Sequence, residues 1–297
     1  MAAPGSLAGR LAVTLEMIRF QHTVFALPFA LTGMVLAADG LPPPGTVAWV
    51  LVAMVGARSA AMAFNRIADR HLDARNPRTA GRALPAGRLG LGFAWTFTAA
   101  SAALFLLAAA MLNPLCFRLS PIALLVILGY SYTKRFTATS HLVLGLALGI
   151  APMGGWLAVT GSFLDAASGR PAWAPWFLTG AVLAWTAGFD ITYSLQDVEF
   201  DRSAGLRSIP VRLGPAGALA ISRALHGLMV ALLALLVPVA GLGPIFIAGL
   251  LVIAALLIYE HALVRPGDLR RLDTAFFRVN AIVSILVLIL VTADRLL

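Results

Sequence analysis

Residues 65–82 read "NRIADRHLDARNPRTAGR" and follow without a break on the apolar run "TVAWVLVAMVGARSAAMAF" of residues 46–64. The chain is 60% hydrophobic and only 12% charged, yet two aspartates and five arginines gather here at the end of one apolar segment. An α-helix turns about 100° per residue, so steps of four place Asn65, Asp69 and Asp73 on one stripe within roughly 80°. A bilayer crossing takes roughly 20 apolar residues. The stretch therefore reads as a helix that leaves a membrane with a polar stripe at its mouth.

The rest of the chain agrees. A mean hydropathy of +0.90 over 297 residues lies outside soluble composition. Apolar windows of membrane length predict spans at 18–38, 46–66, 91–112, 114–134, 141–161, 173–196, 217–240, 243–263 and 275–294. The expectation is an all-α integral membrane protein, one domain over residues 1–297, with no removable signal peptide and no boundary where a soluble domain begins. The single Cys116 excludes a disulfide framework or a cysteine-based metal site within the chain.

The net charge of +9 would suit nucleic acid, but its placement does not. Arg10, Arg19, the residues from Arg66 to Arg88, Lys134, Arg135, and the groups Arg202 to Arg223 and Arg265 to Arg278 fall on one side of the nine expected spans. Only Arg118, Arg170 and Arg295 fall on the other. This asymmetry predicts a cytoplasmic N-terminus and cytoplasmic basic loops, facing a lipid bilayer rather than nucleic acid.

A second stretch repeats the plan of the first. Residues 190–214, "DITYSLQDVEFDRSAGLRSIPVRLG", carry Asp190, Tyr193, Asp197 and Asp201 near the end of the sixth span and then pass into a basic loop. Salt bridging to Arg66, Arg70 and Arg75 accounts for one acidic stripe more easily than for two. Oxygen donors without His or Cys suit a hard cation such as Mg²⁺, which is commonly held through carboxylates together with substrate phosphates. Guanidinium groups grip phosphate oxygens in pairs. Carboxylates, metal and arginines would then hold a diphosphate, with a hydrocarbon tail in the apolar space behind. Departure of diphosphate from an allylic carbon leaves a carbocation, and the faces of Phe64, Phe189, Tyr193, Tyr130 and Tyr132 are candidates to stabilise it.

Arg58 lies seven residues before Asn65, two turns deeper on nearly the same face and about 10 Å towards the membrane centre. It is placed to bind an acceptor's carboxylate or to neutralise Asp190. Asp190 is likewise deeper than Asp197, where a buried carboxylate could accept a proton from an aromatic ring, or simply pair with Arg58. His71 points off the stripe. His22, with Gln21, suits interhelical hydrogen bonding, and His141, His226 and His261 read as interfacial residues near helix ends.

Taken together, "NRIADRHLD", "RTAGRALPAGRLG", "YSYTKRFT" and "DITYSLQDVEFD" resemble the UbiA superfamily of membrane prenyltransferases over nearly the whole chain. The resemblance implies a nine-transmembrane-helix bundle around a central cavity with cytoplasmic cap loops, Mg²⁺ as cofactor, and transfer of a polyprenyl group from a polyprenyl diphosphate to a small aromatic acceptor. "MIRFQHTVFALPFALTG" looks most like the 4-hydroxybenzoate polyprenyltransferase branch. By motif position, Asn65, Asp69, Asp73, Asp197 and Asp201 match the family's magnesium and diphosphate residues, and Lys134 and Arg135 its basic pair. Many members of the ubiquinone branch carry Asp where this chain has Arg66, a departure that bears on the acceptor.

The resulting expectation is a prenyltransferase of the cytoplasmic membrane acting in respiratory quinone synthesis. Arg66, Arg78, Arg82, Lys134 and Arg135 would bind diphosphate, with Asp190, Arg58 and Tyr193 catalytic. Three alternatives stay open: the same chemistry on a dihydroxynaphthoate in futalosine-route menaquinone synthesis, haem farnesylation or transfer to another lipid acceptor, and a transporter of an anionic substrate. Acceptor identity, prenyl chain length and oligomeric state are not legible.

Overall fold

The computed structural model describes residues 7–18, 20–165, 169–170 and 172–297, with the side chains of 7–11 and 20–22 outside that description. Arg19 and the side chains of Arg10, Gln21 and His22 accordingly lie outside the described residues.

The secondary structure is helical: α1 (Leu7–Met17), a 3₁₀ turn (Phe20–Phe25), α2 (Leu27–Ala38), α3 (Pro44–Arg75), α4 (Leu91–Leu112), α5 (Pro114–Thr133), α6 (Ser140–Thr160), α7 (Trp173–Tyr193), a 3₁₀ turn (Ser194–Asp197), α8 (Val198–Ser203), α9 (Ile209–Ala240), α10 (Pro244–Leu263), a π-helical turn (Thr274–Val279) and α11 (Asn280–Leu296). Local chemistry sets many of these limits. Proline opens α3 and α5, where its missing N–H costs nothing, and the Asn113 side chain accepts from the Cys116 N–H at 2.9 Å. Asn76 ends α3 in an extended conformation because Pro77 follows it. Within α9, Gly214 adopts φ 71° and ψ 172°, so the membrane part of that helix starts afresh at Pro215.

Among the described residues, seven helices are long and apolar enough to cross a membrane: 44–75, 91–112, 114–133, 140–160, 209–240, 244–263 and 274–296. The expected first and sixth spans, 18–38 and 173–196, are not among them. The first is interrupted: the 3₁₀ turn precedes α2, which starts beside Pro28, and the apolar helical stretch runs only from Thr23 to Ala38. The sixth exists as α7 but ends at Tyr193. Threonines and Asp190 dilute its apolarity, and more than half its residues are buried against neighbours, notably α6 and α9. Outer helices show the reverse: Leu125 of α5 and Leu251 and Ile258 of α10 are 71–73% exposed, as side chains facing lipid should be. Leu107 of α4, 54% exposed, belongs to the same surface.

Two devices hold the bundle around the site. At the α2–α6 crossing, a Cβ on Gly33 would collide with the Pro152 carbonyl oxygen and one on Gly155 with that of Ala30, so only glycine allows this backbone contact. Deeper in the core, the Trp185 indole donates to Asn280 Oδ1 at 2.6 Å, while Asn280 Nδ2 donates to the Ala275 and Phe276 carbonyls at 3.1 Å. Asn280 thus ties α7 to the π-helical turn, whose carbonyls its side chain satisfies.

Candidate active site

The polar stripe of α3 faces a cavity of about 290 Å³ walled by α3, α5, α6, α7, the 3₁₀ turn after α7, α8 and the loop after α3. Each residue singled out from sequence as a metal, diphosphate or catalytic candidate lines it: Arg58, Asn65, Arg66, Asp69, Asp73, Arg78, Arg82, Lys134, Arg135, Asp190, Tyr193, Asp197 and Asp201. A second cavity of about 420 Å³, almost wholly apolar, runs between α2, α3, α4, α5 and α6. Arg58, Met62, Tyr130, Leu144 and Leu148 line both, so the polar space and the hydrocarbon-lined one adjoin at Arg58 and Tyr130.

The first motif has the expected helical geometry. Asn65 Nδ2 donates to Asp69 Oδ2 at 3.0 Å, one turn on, and reaches Ser131 Oγ on α5 at 3.4 Å. The second motif does not lie on one helix. Asp190 and Tyr193 belong to α7, Asp197 to the 3₁₀ turn and Asp201 to α8, because the α-helix tightens after Tyr193. Both motifs nevertheless open into the same cavity.

Basic residues interlock them. Arg78 binds Asp197 through two guanidinium nitrogens, Nε to Oδ1 at 2.9 Å and Nη2 to Oδ2 at 2.7 Å, and Asn76 Nδ2 adds a bond to Oδ1 at 3.2 Å. Arg82 donates to Asp73 Oδ1 at 2.7 Å, Arg135 to Asp69 Oδ1 at 3.0 Å and Lys134 to Asp201 Oδ2 at 3.5 Å. The turns of residues 76–82 bring Arg78 and Arg82 back over the end of α3, aided by Thr79 Oγ1 donating to the Asp73 carbonyl at 3.1 Å. Arg66 is oriented differently: it is buried, and donates from Nε to the Met17 carbonyl at 3.3 Å and from Nη1 to Asn65 Oδ1 at 3.2 Å.

Burial, joined by the like charge of Asp197, holds the Asp201 carboxyl above its usual range against the pull of Lys134. Burial disfavours the Lys134 ammonium, but Asp201, Asp190 and Asp197 together raise its affinity for its proton. Arg78 is likewise desolvated, and Asp197 more than compensates.

Asp190 pairs with a residue other than the expected Arg58. Its Oδ2 lies 2.6 Å from His141 Nδ1, and His141, at the start of α6 as expected, is completely buried. His226 is buried within α9 rather than near a helix end, and His261 is half-buried in the last turn of α10. They bond each other at 3.0 Å, and His226 Nε2 also reaches the Trp185 carbonyl at 3.3 Å. His71 is exposed beside Arg70, as its position off the stripe implied.

Of the aromatic candidates, Tyr130, Phe189 and Tyr193 line the polar cavity, whereas Phe64 and Tyr132 pack edge-on to each other at 5.8 Å. Sequence reasoning missed Phe25 and Phe276, which complete the aromatic wall; Phe276 stacks on Tyr193 at 4.0 Å. Nothing in their spacing marks them, since they come from opposite ends of the chain. Asn76 was missed as well, although the "NPR" stop signal beside the motif draws attention to it.

A metal site is not preformed: among the described residues, no three His, Cys, Asp or Glu side chains converge on a point that could hold an ion. The cause is visible, since four of the carboxylates each close on a lysine or arginine. The donor set still suits a hard divalent cation. It is all oxygen and amide, and Asp73 Oδ2 is buried without a hydrogen-bond partner, an acceptor that lacks a cation or proton.

Residues 26–282 match the UbiA prenyltransferase family. The chain belongs to the UbiA prenyltransferase family. It is therefore a membrane enzyme of prenyl transfer, and the transporter reading falls away. Among its curated relatives, the 4-hydroxybenzoate octaprenyltransferase of Aromatoleum aromaticum is 31% identical over 294 residues, covering 98% of this chain and 97% of that one. The enzyme of the same name from Azotobacter vinelandii is 36% identical over 245 residues, 82% of this chain and 78% of the other. Among solved structures, the apo form of a UbiA homolog from Aeropyrum pernix superposes with a TM-score of 0.82 at 38% identity, covering 93% of this chain and 98% of that one. A homolog from Archaeoglobus fulgidus, solved bound to GPP and Mg²⁺, shares the fold with a TM-score of 0.69 at 21% identity, over 95% of this chain and 99% of that one.

Proposed function

We propose that this UbiA-family chain transfers a polyprenyl group from an allylic polyprenyl diphosphate to the ring of 4-hydroxybenzoate, supplying a lipid-soluble precursor of a respiratory quinone. The observation that carries the reading is the meeting of two acidic motifs and four facing cations in one cavity that adjoins an apolar one. The acceptor follows from the relatives, which bear the name of that activity. In this reading α2 and α7 join the seven apolar helices as crossings, nine in all, and the basic loops face the cytoplasm.

Arg78, Arg82, Lys134 and Arg135, which now hold carboxylates, are the donors for diphosphate oxygens, and paired guanidinium contacts fix the orientation of the leaving group. Arg66 adds charge at the same rim while its bonds to Met17 and Asn65 keep it against α1. Asn65, Asp69, Asp73, Asp197 and Asp201 would hold Mg²⁺, which when bound neutralises charge developing on the departing diphosphate. The tail lies in the apolar cavity and, for a long chain, continues between helices into lipid. Phe189, Tyr193 and Phe276 present aromatic surface to the allylic carbon and keep water from it. Arg58, at the junction of the two cavities, binds the acceptor's carboxylate, and Asp190 receives the proton displaced from the ring.

The test is an acceptor panel in membranes containing the chain, with labelled polyprenyl diphosphate and with or without Mg²⁺. Prenylated 4-hydroxybenzoate is expected, and chelating the metal should stop its formation. Product only on a dihydroxynaphthoate would shift the acceptor, and two unchanged substrates would sink the assignment. Within the same assay, Arg58→Leu should raise the acceptor's KM roughly 10- to 100-fold, the worth of a charge-assisted hydrogen bond, with the donor's KM little changed. An unchanged acceptor KM would remove Arg58 from that role.

A further inference from the structure

Of the five aspartates that line the polar cavity, four are held by a lysine or arginine, and Asp190 is held by His141. The pairing is built into the bundle. His141 is the second residue of α6, and α6 meets α7 closely because a Cβ on Gly145 would collide with the Leu183 carbonyl oxygen. That approach lets an imidazole that is 0% exposed reach Asp190 Oδ2 at 2.6 Å, 49 residues away in sequence. The other ring nitrogen, Nε2, is buried with no partner. A hydrogen there would be buried without an acceptor, so the favoured tautomer carries its hydrogen on Nδ1 and donates it to the carboxylate.

We propose that His141 is the positioning residue for the proton-accepting carboxylate: by occupying Asp190 Oδ2 from behind, it turns the other oxygen to the acceptor ring. This rests on the prenyl transfer proposed above. A permanent cation beside a carboxylate weakens it as a proton acceptor, whereas a neutral imidazole N–H fixes its orientation without adding charge. Asp190 is the one of these five carboxylates that is not ion-paired to a lysine or arginine, and its side chain is 22% exposed, on the cavity wall. In the step it serves, the donor's C1–O bond breaks with its electron pair leaving on diphosphate, and a ring π pair forms the new C–C bond. The ring's C–H pair then restores aromaticity while the proton passes to the free Asp190 oxygen, and from there to water as product leaves.

The experiment compares His141→Leu, His141→Asn and His141→Gln with the wild type in membranes, following prenylated 4-hydroxybenzoate and released diphosphate together. In His141→Leu, product formation should fall at least about tenfold, the loss expected for a misaligned proton acceptor. Both KM values should stay within about threefold, and diphosphate release should outrun product as the cation is quenched to prenyl alcohol. Asn places its amide nitrogen where Nδ1 stands and should restore the coupling of release to product, whereas Gln, reaching the Nε2 position, should not. Product within about twofold of wild type in the Leu variant, or product and diphosphate falling in step in all three, overturns the proposal. If the Leu variant fails to fold, the contrast between Asn and Gln decides alone, and equal activity of the two overturns it. A wild type that makes no prenylated product refutes instead the functional reading on which this inference stands.

Discussion

Replacing Asp69 or Asp197 with alanine should lower turnover about a thousand-fold while leaving the chain folded, the scale seen when one preorganised charge partner of a transition state is removed. The two residues stand on different elements, α3 and the turn after α7, and each is clasped by a cation drawn from elsewhere. Deleting Asp69 releases Arg135, and deleting Asp197 releases Arg78. Both arginine side chains are about a third exposed, 31% and 32%, so water can solvate the freed charge. The cost to stability is then about 1 kcal/mol rather than the several expected for a fully buried orphan. Turnover measured beside thermal unfolding separates the two effects. Full activity in either variant would remove the shared site, because the proposal needs both clusters to bind one metal and one diphosphate.

The second large effect concerns packing. Gly155→Val should abolish the folded state, at a cost above about 4 kcal/mol, since its Cβ would overlap the Ala30 carbonyl oxygen and no side-chain rotation relieves a clash with backbone. The α2–α6 contact is reciprocal through Gly33 and Pro152, so neither helix can slide away without losing the other contact. Ala26 and Ala30 of this region also line the apolar cavity, and activity should vanish with the fold. The control lies one residue away. A Cβ on Gly154 meets nothing within 4 Å, so Gly154→Ala should keep its melting temperature and its monodisperse behaviour in detergent. Equal behaviour of the two variants would show that this crossing does not hold the bundle.

Legibility of the site in the sequence followed the range of the interactions. Asn65, Asp69 and Asp73 could be placed on one face because a helix ties i to i+4, and the 3.0 Å bond from Asn65 to Asp69 is that tie. The same rule misled at the second motif. Tyr193 ends α7, and the tighter turn that follows re-aims Asp197 and Asp201 in a way that spacing alone does not encode. Similarly, the 18–38 window was apolar enough to look like a span, yet Pro28 and the preceding 3₁₀ turn shorten its helix.

The sequence by itself determined that this chain lives in a membrane, that two acidic motifs each run into a basic loop, and which residues would gather around one polar cavity. These properties depend on composition and on helical periodicity, which act within a few residues. Only the tertiary structure decided the partners. Arg78 reaches Asp197 across 119 residues, His141 rather than Arg58 bonds Asp190, and Phe25 and Phe276 close the aromatic wall. Each of these depends on how closely two helix backbones can approach, and that is set by glycines and turns far from the groups they bring together.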